Sequence, residues 1–315
     1  MSRFDPIAPS AAGPSSAGPA PEASIPSKSP RPPGAPGAPR APGVPGTFSS
    51  ACRVFDLSLG EMLWSRRSVI LAVLVGGPVM LAALIRLLTL TLPGPARING
   101  APVGGGTVFG LMIWLLYLRF IVPVLGVFYG TALIADEVED KTITYLFTRP
   151  IPRGSVLIGK YLAYLVCTVL LVLPSVVVVF FLTVPIGGDS IARAFPSLLS
   201  DLGMLVVGLA SYGAVFALVG TRLKRPLVVG LVFAFGWEPA VLLFPGYLKQ
   251  LTVAYYLQAL VVHEMPQDST ISLLLQVFRE LPSVSTSLLC LMLVVVLTLW
   301  QAVRAVESRE YVLDQ

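Results

Sequence analysis

The chain has 315 residues, 55% of them hydrophobic and only 12% charged, with a mean hydropathy of +0.81. That balance excludes a soluble globular protein, and the net charge of +5 does not imply a nucleic-acid partner, because the basic residues fall in loops between apolar runs. Three scattered cysteines, Cys52, Cys167 and Cys290, and one histidine, His263, exclude a disulfide framework, a zinc spacing and a histidine metal cluster.

Residues 1–47 hold 13 of the 28 prolines with many Ala, Gly and Ser. No segment of this kind can bury a core, so it is predicted to be a disordered Pro/Ala/Gly-rich cytoplasmic tail. It lacks the continuous apolar stretch of a signal peptide. Residues 53–64 read as an interfacial helix, with Phe55, Leu59, Met62 and Leu63 on one stripe and Arg53, Asp56 and Glu61 elsewhere. Arg66 and Arg67 then mark the water side of the first span. From residue 48 onward the chain is predicted to be one transmembrane domain with six spans, at about 69–92, 108–134, 157–186, 198–220, 226–245 and 285–303. With the N-terminus inside, sixteen of the 22 lysines and arginines are cytoplasmic, and the outer loops hold only Arg97, Arg193, Lys249 and Arg279. The bias places both termini in the cytoplasm of a multi-pass cell-membrane protein. In the long outer loop after the fifth span, 248–262 is apolar, and Leu273, Leu274, Val277, Phe278 and Leu281 form a helical stripe. Both pieces are short for a span, which predicts re-entrant or interfacial helices.

The interval 131–160 is the one strongly charged stretch between two long apolar runs. A helix over 137–147 puts Val138, Thr142, Tyr145 and Leu146 on one face, and Pro150 and Pro152 end it. A short amphipathic helix beside the membrane is suited to docking a partner. Glu137, Thr142, Leu146, Arg149, Pro150, Arg153, Gly159 and Lys160 together resemble the intracellular coupling loop of ABC-2-type transporter permeases. Lys141 departs from the pattern, since many relatives carry Gly before the Thr. The resemblance extends in layout from Arg53 to the C-terminus, and it implies an all-α polytopic fold with a cytoplasmic elbow helix at 53–64 and a coupling helix between spans two and three. It also implies a separate cytoplasmic ABC ATPase contacted by Glu137, Thr142, Tyr145, Leu146, Arg149 and Arg153, and a second permease copy or a homologous permease in a dimer.

Other constellations carry less. Gly154 to Tyr161 comes within one residue of a phosphate-binding loop, but Tyr161 stands where Ser or Thr must offer a hydroxyl to Mg²⁺, and no strand precedes it. No cofactor is therefore expected in this chain; ATP belongs to the partner. Lys160 is expected to reach the lipid headgroups, and Ser211 to be a packing residue and not a nucleophile. Arg86 in the first span, Arg119 in the second and Glu238 in the fifth are charges buried within apolar runs. Each is costly in hydrocarbon and needs a partner or water. Arg119 and Glu238 lie about 24 and 18 Å from the inner ends of their spans at 1.5 Å per residue, so they can meet, either as a helix-fixing salt bridge or in translocation. The Gly126-x-x-x-Gly130 spacing permits close helix approach.

The function that the resemblance implies is a permease subunit of an ATP-driven exporter, moving substrate across or out of the membrane. The alternatives are an ion-gradient-driven secondary transporter, for which only Arg119 and Glu238 speak, and a non-transporting scaffold or assembly factor.

Overall fold

In a hydrocarbon layer a segment must satisfy its backbone hydrogen bonds internally, so long apolar runs become helices. The computed structural model describes residues 66–91, 97–98, 101–102, 104–133, 153–188, 190–243, 247–261 and 282–308, with Phe55 and Gly60, all within the unit Val44–Gln315. Helix α1 is Arg66–Thr91, and a hairpin pairs the two-residue strands β1 (Arg97–Ile98) and β2 (Ala101–Pro102) antiparallel. Next come α2 (Gly105–Leu133), α3 (Arg153–Thr183) and α4 (Ile191–Arg222). Helix α5 runs from Pro226 to Leu243, followed by a 3₁₀ turn at Tyr247–Leu251, α6 (Val253–Gln258) and α7 (Val284–Ser308).

Five of the described helices, α1, α2, α3, α4 and α7, are long and apolar enough to cross a membrane. The expected fifth span, 226–245, becomes α5, whose apolar part Pro226–Val241 is shorter. At 1.5 Å per residue it covers about 24 Å of a core about 30 Å thick. The chain then folds back instead of continuing outward. Leu257 of α6 is fully buried and lies beside Gly208 of α4, which Val122 of α2 also approaches.

Helices α2 and α4 form the centre, and α1 and α7 the flanks, where Val73, Met80, Leu289 and Met292 are exposed. Glycines make the central seam. A Cβ on Gly126 would lie 2.8 Å from Tyr212 Cβ, and one on Gly130 would lie 3.0 Å from Phe216 Cβ. On α4, Gly220 faces the Thr131 carbonyl and Gly213 receives the Tyr164 ring. Thus Gly126 and Gly130 pack α2 on α4 within one chain, the small-residue contact by which helices approach without water to drive them.

Most buried hydroxyls on these helices are satisfied, as a low-dielectric interior demands, Ser287 Oγ on α7 being an exception. Tyr164 donates to the Leu209 carbonyl at 2.8 Å, Tyr161 donates to that of Ala210 at 2.9 Å, and Tyr117 pairs with Ser175 at 2.9 Å. Thr168, Thr183 and Ser211 each donate to the carbonyl one turn back.

Candidate functional site

Two prolines shape the centre of the bundle. Pro123 in α2 and Pro239 in α5 lack the amide that an α-helix would use, and each ring crowds the carbonyl four residues back. Ahead of each, the helix widens to π geometry, over Ile113–Ile121 in α2 and Phe233–Trp237 in α5. The last amides before the prolines reach five residues back: Val122 N–H bonds to the Tyr117 carbonyl and Glu238 N–H to the Phe233 carbonyl. Such wide turns cluster at functional sites because they redirect side chains. Here they turn toward each other, with Phe120 and Phe235 in contact at 5.8 Å between ring centres.

Between them lies a cavity of about 260 Å³. Trp114, Leu118 and Arg119 line it from the α2 π segment, Ala234 and Glu238 from α5, Tyr212 from α4 and Ala254 from α6, with Pro123 and Pro239 in the wall. Glu238 is 2% exposed and accepts a hydrogen bond from the Tyr212 hydroxyl on Oε2. The first-turn amides of Val253 and Ala254 and the guanidinium of Arg119 also act on its carboxylate. Oε1 is buried with no hydrogen-bond partner. Arg119 lies over the Trp114 ring, its Cζ 5.5 Å from the ring centre, a cation–π contact that fixes the guanidinium at the wall. Tyr212 is itself held by stacking on Phe216 at 6.0 Å, and Phe216 meets Phe233 edge-on at 6.1 Å. The arrangement is a small apolar chamber with one acidic and one basic group at mid-helix depth.

A helical bundle of membrane-crossing length with a charged central chamber fits several transporter architectures. The family of ABC-2 transporter proteins matches residues 49–304, more than three quarters of the chain. The chain belongs to that family. No curated protein matches it. As an ABC-2-type permease it is a multi-pass membrane protein and the membrane component of a transporter.

Within this ABC-2 permease the sequence-predicted residues separate into three groups. Arg119 and Glu238 line the same chamber. Arg86 does not join them: it is half-buried on α1, where its carbonyl accepts from Thr89 Oγ1 at 2.8 Å. Glu137, Thr142, Tyr145, Leu146 and Arg149 lie outside the described residues, as does most of 53–64, and Arg153 is the first residue of α3. The stretch from Gly154 to Tyr161, which mimicked a phosphate loop, is helical throughout; Gly154 faces Val303 and Glu307 of α7. Sequence reasoning missed Tyr212, Trp114 and the two prolines. The readable signal was a proline inside an apolar run, at Val122-Pro123 and at Glu238-Pro239, each close to an intramembrane charge.

Proposed function

We propose that this chain is the permease subunit of an ATP-driven exporter in the cell membrane, with both termini cytoplasmic, and that a separate ABC ATPase supplies the energy. The observation that carries the reading is the family match over 49–304, which takes in both the 137–153 loop and the central chamber. Two permease copies, or this chain and a homologue, would share a pair of ATPases. The elbow at 53–64 and a coupling helix at 137–147 would pass ATPase closure to the spans, and α5 would complete six crossings. Glu137 would pair with an ATPase cation or favour the start of the helix by its charge, worth about 0.3–1 kcal/mol when exposed. Tyr145 and Leu146 would fill an ATPase groove, where losing an anchor costs about 2 kcal/mol or more. Glu137→Lys should weaken coupling, and Tyr145→Ala with Leu146→Ala should release the ATPase while the permease stays inserted. Pull-down and permease-stimulated ATP hydrolysis measure both, and full stimulated turnover by the double variant would overturn the assignment of this loop.

A second reading, ion-coupled transport, draws on the buried Glu238 and Arg119. Flux in vesicles separates the two: an exporter needs ATP and survives an ionophore, whereas an ion-coupled carrier loses its flux when the gradient collapses.

A further inference from the structure

The chamber has chemistry that the family reading leaves unassigned. Glu238, 98% buried, lines the chamber with Leu118, Ala234 and the two prolines, and its Oε1 has no hydrogen-bond partner. An acceptor in that position costs free energy unless a donor arrives. Arg119 stands on the same wall, and a guanidinium has five N–H donors, enough to serve a second acceptor beside any group it already meets. A cation alone would be opposed by Arg119, and an anion alone by Glu238. A ligand carrying both signs meets neither objection.

We propose that the chamber binds a zwitterionic group, a primary ammonium at the Glu238 carboxylate and a phosphate or carboxylate at Arg119, joined by a short carbon spacer. The size fits: about 260 Å³ lies just below the usual range of about 300–1,000 Å³ for whole ligand pockets, room for a headgroup but not for acyl chains. The position fits as well. Arg119 is midway along Gly105–Leu133, and the lining residue Leu115 is 49% exposed, so one wall of the chamber reaches the surface of the bundle. A headgroup there, with its chains outside, is halfway between the leaflets. The same chemistry is offered by an aminophospholipid headgroup and by a free water-soluble aminophosphate. The inference rests on the transport reading for its biological sense, but its test uses the full chain alone, without an ATPase, so failed coupling and failed binding are told apart.

The experiment follows the emission of Trp114 in the full chain with Trp64, Trp237 and Trp300 replaced by Phe, in detergent. It is titrated with short-chain phosphatidylethanolamine, free phosphoethanolamine, and short-chain phosphatidylcholine and phosphatidylglycerol. Saturable binding of phosphatidylethanolamine alone assigns a lipid headgroup, and binding of phosphoethanolamine with equal affinity assigns the soluble source. Phosphatidylcholine, whose ammonium has no N–H, and phosphatidylglycerol, which has no cation, should bind at least tenfold more weakly. Glu238→Gln and Arg119→Gln should each lose tenfold or more in affinity, and Ala254→Leu, which fills the chamber without removing either charge, should abolish it. If Glu238→Gln does not purify as a folded species, Ala254→Leu decides. Equal affinities for all four probes, no saturable change, or unaltered binding by Ala254→Leu or a folded Glu238→Gln would each overturn the proposal.

Discussion

Tyr212 and Tyr161 both donate one hydrogen bond across a helix interface, yet their loss should not cost the same. Tyr161 serves the Ala210 carbonyl, inside α4, where the helix already supplies a donor. Tyr212 serves the buried carboxylate of Glu238, whose other oxygen has no partner. Tyr161→Phe should therefore cost about 0.6 kcal/mol, the average for interhelical hydrogen bonds in membranes. Tyr212→Phe should cost about 1.5–3 kcal/mol, the range for a bond to a charged group. Denaturant titration of the full chain in bicelles measures both, and the reverse order would mean that Glu238 does not depend on Tyr212. Glycine makes a second residue-scale claim. Any side chain at Gly213 collides with the Tyr164 ring, so Gly213→Ala should lose about 1–3 kcal/mol by overpacking. Combined with Tyr164→Ala it should lose less than the two changes summed, because each relieves the other.

At the scale of elements, the Gly126-x-x-x-Gly130 spacing announced a close approach without saying to what. The structure spends it on α4 of the same chain: a Cβ on Gly130 comes within 3.0 Å of Phe216 Cβ. Disulfide partners sit about 3.5–4.5 Å apart at Cβ, so a few tenths of an ångström of give would admit one. With Cys52, Cys167 and Cys290 replaced, Gly130→Cys plus Phe216→Cys should oxidise to an intrachain cross-link, seen as a mobility shift that reductant reverses. Gly130→Cys alone should give no cross-linked dimer; a strong dimer band would move this seam to an interface between copies. The π segments are the other element-scale feature. Restoring the amide with Pro123→Ala and Pro239→Ala lets each helix close to i→i−4 bonding, which turns Arg119 and Glu238 away from their present aim. The double variant should be at least as resistant to unfolding while Trp114 emission shifts, because its contact with Arg119 is lost.

For the whole molecule the decisive question is whether α5 completes a crossing. Lys224 just after α4 and Ser308 at the end of α7 are exposed, as are Ser190 just before α4, Gln250 after α5 and Ser283 just before α7. On a background with the native cysteines replaced, single cysteines at Ser190, Gln250 and Ser283 should react with an impermeant thiol reagent on intact cells. Those at Lys224 and Ser308 should be protected until the membrane is opened. Labelling of Lys224 and Gln250 from the same side would leave α5 as a helix that enters and returns. By itself the sequence determined the membrane class, four of the five long helices nearly to their ends, and the presence of two charges too deep to be accidental. Those follow from composition and run length, which the bilayer reads directly. Proximity needed the fold. That Arg119 and Glu238 share a chamber, that Tyr212 holds the carboxylate, and that α6 folds back onto the centre depend on which helices are neighbours and how each is rotated. Hydropathy is blind to rotation in a helix apolar on every side, and a π turn before a proline resets it by a fraction of a turn that no periodicity records.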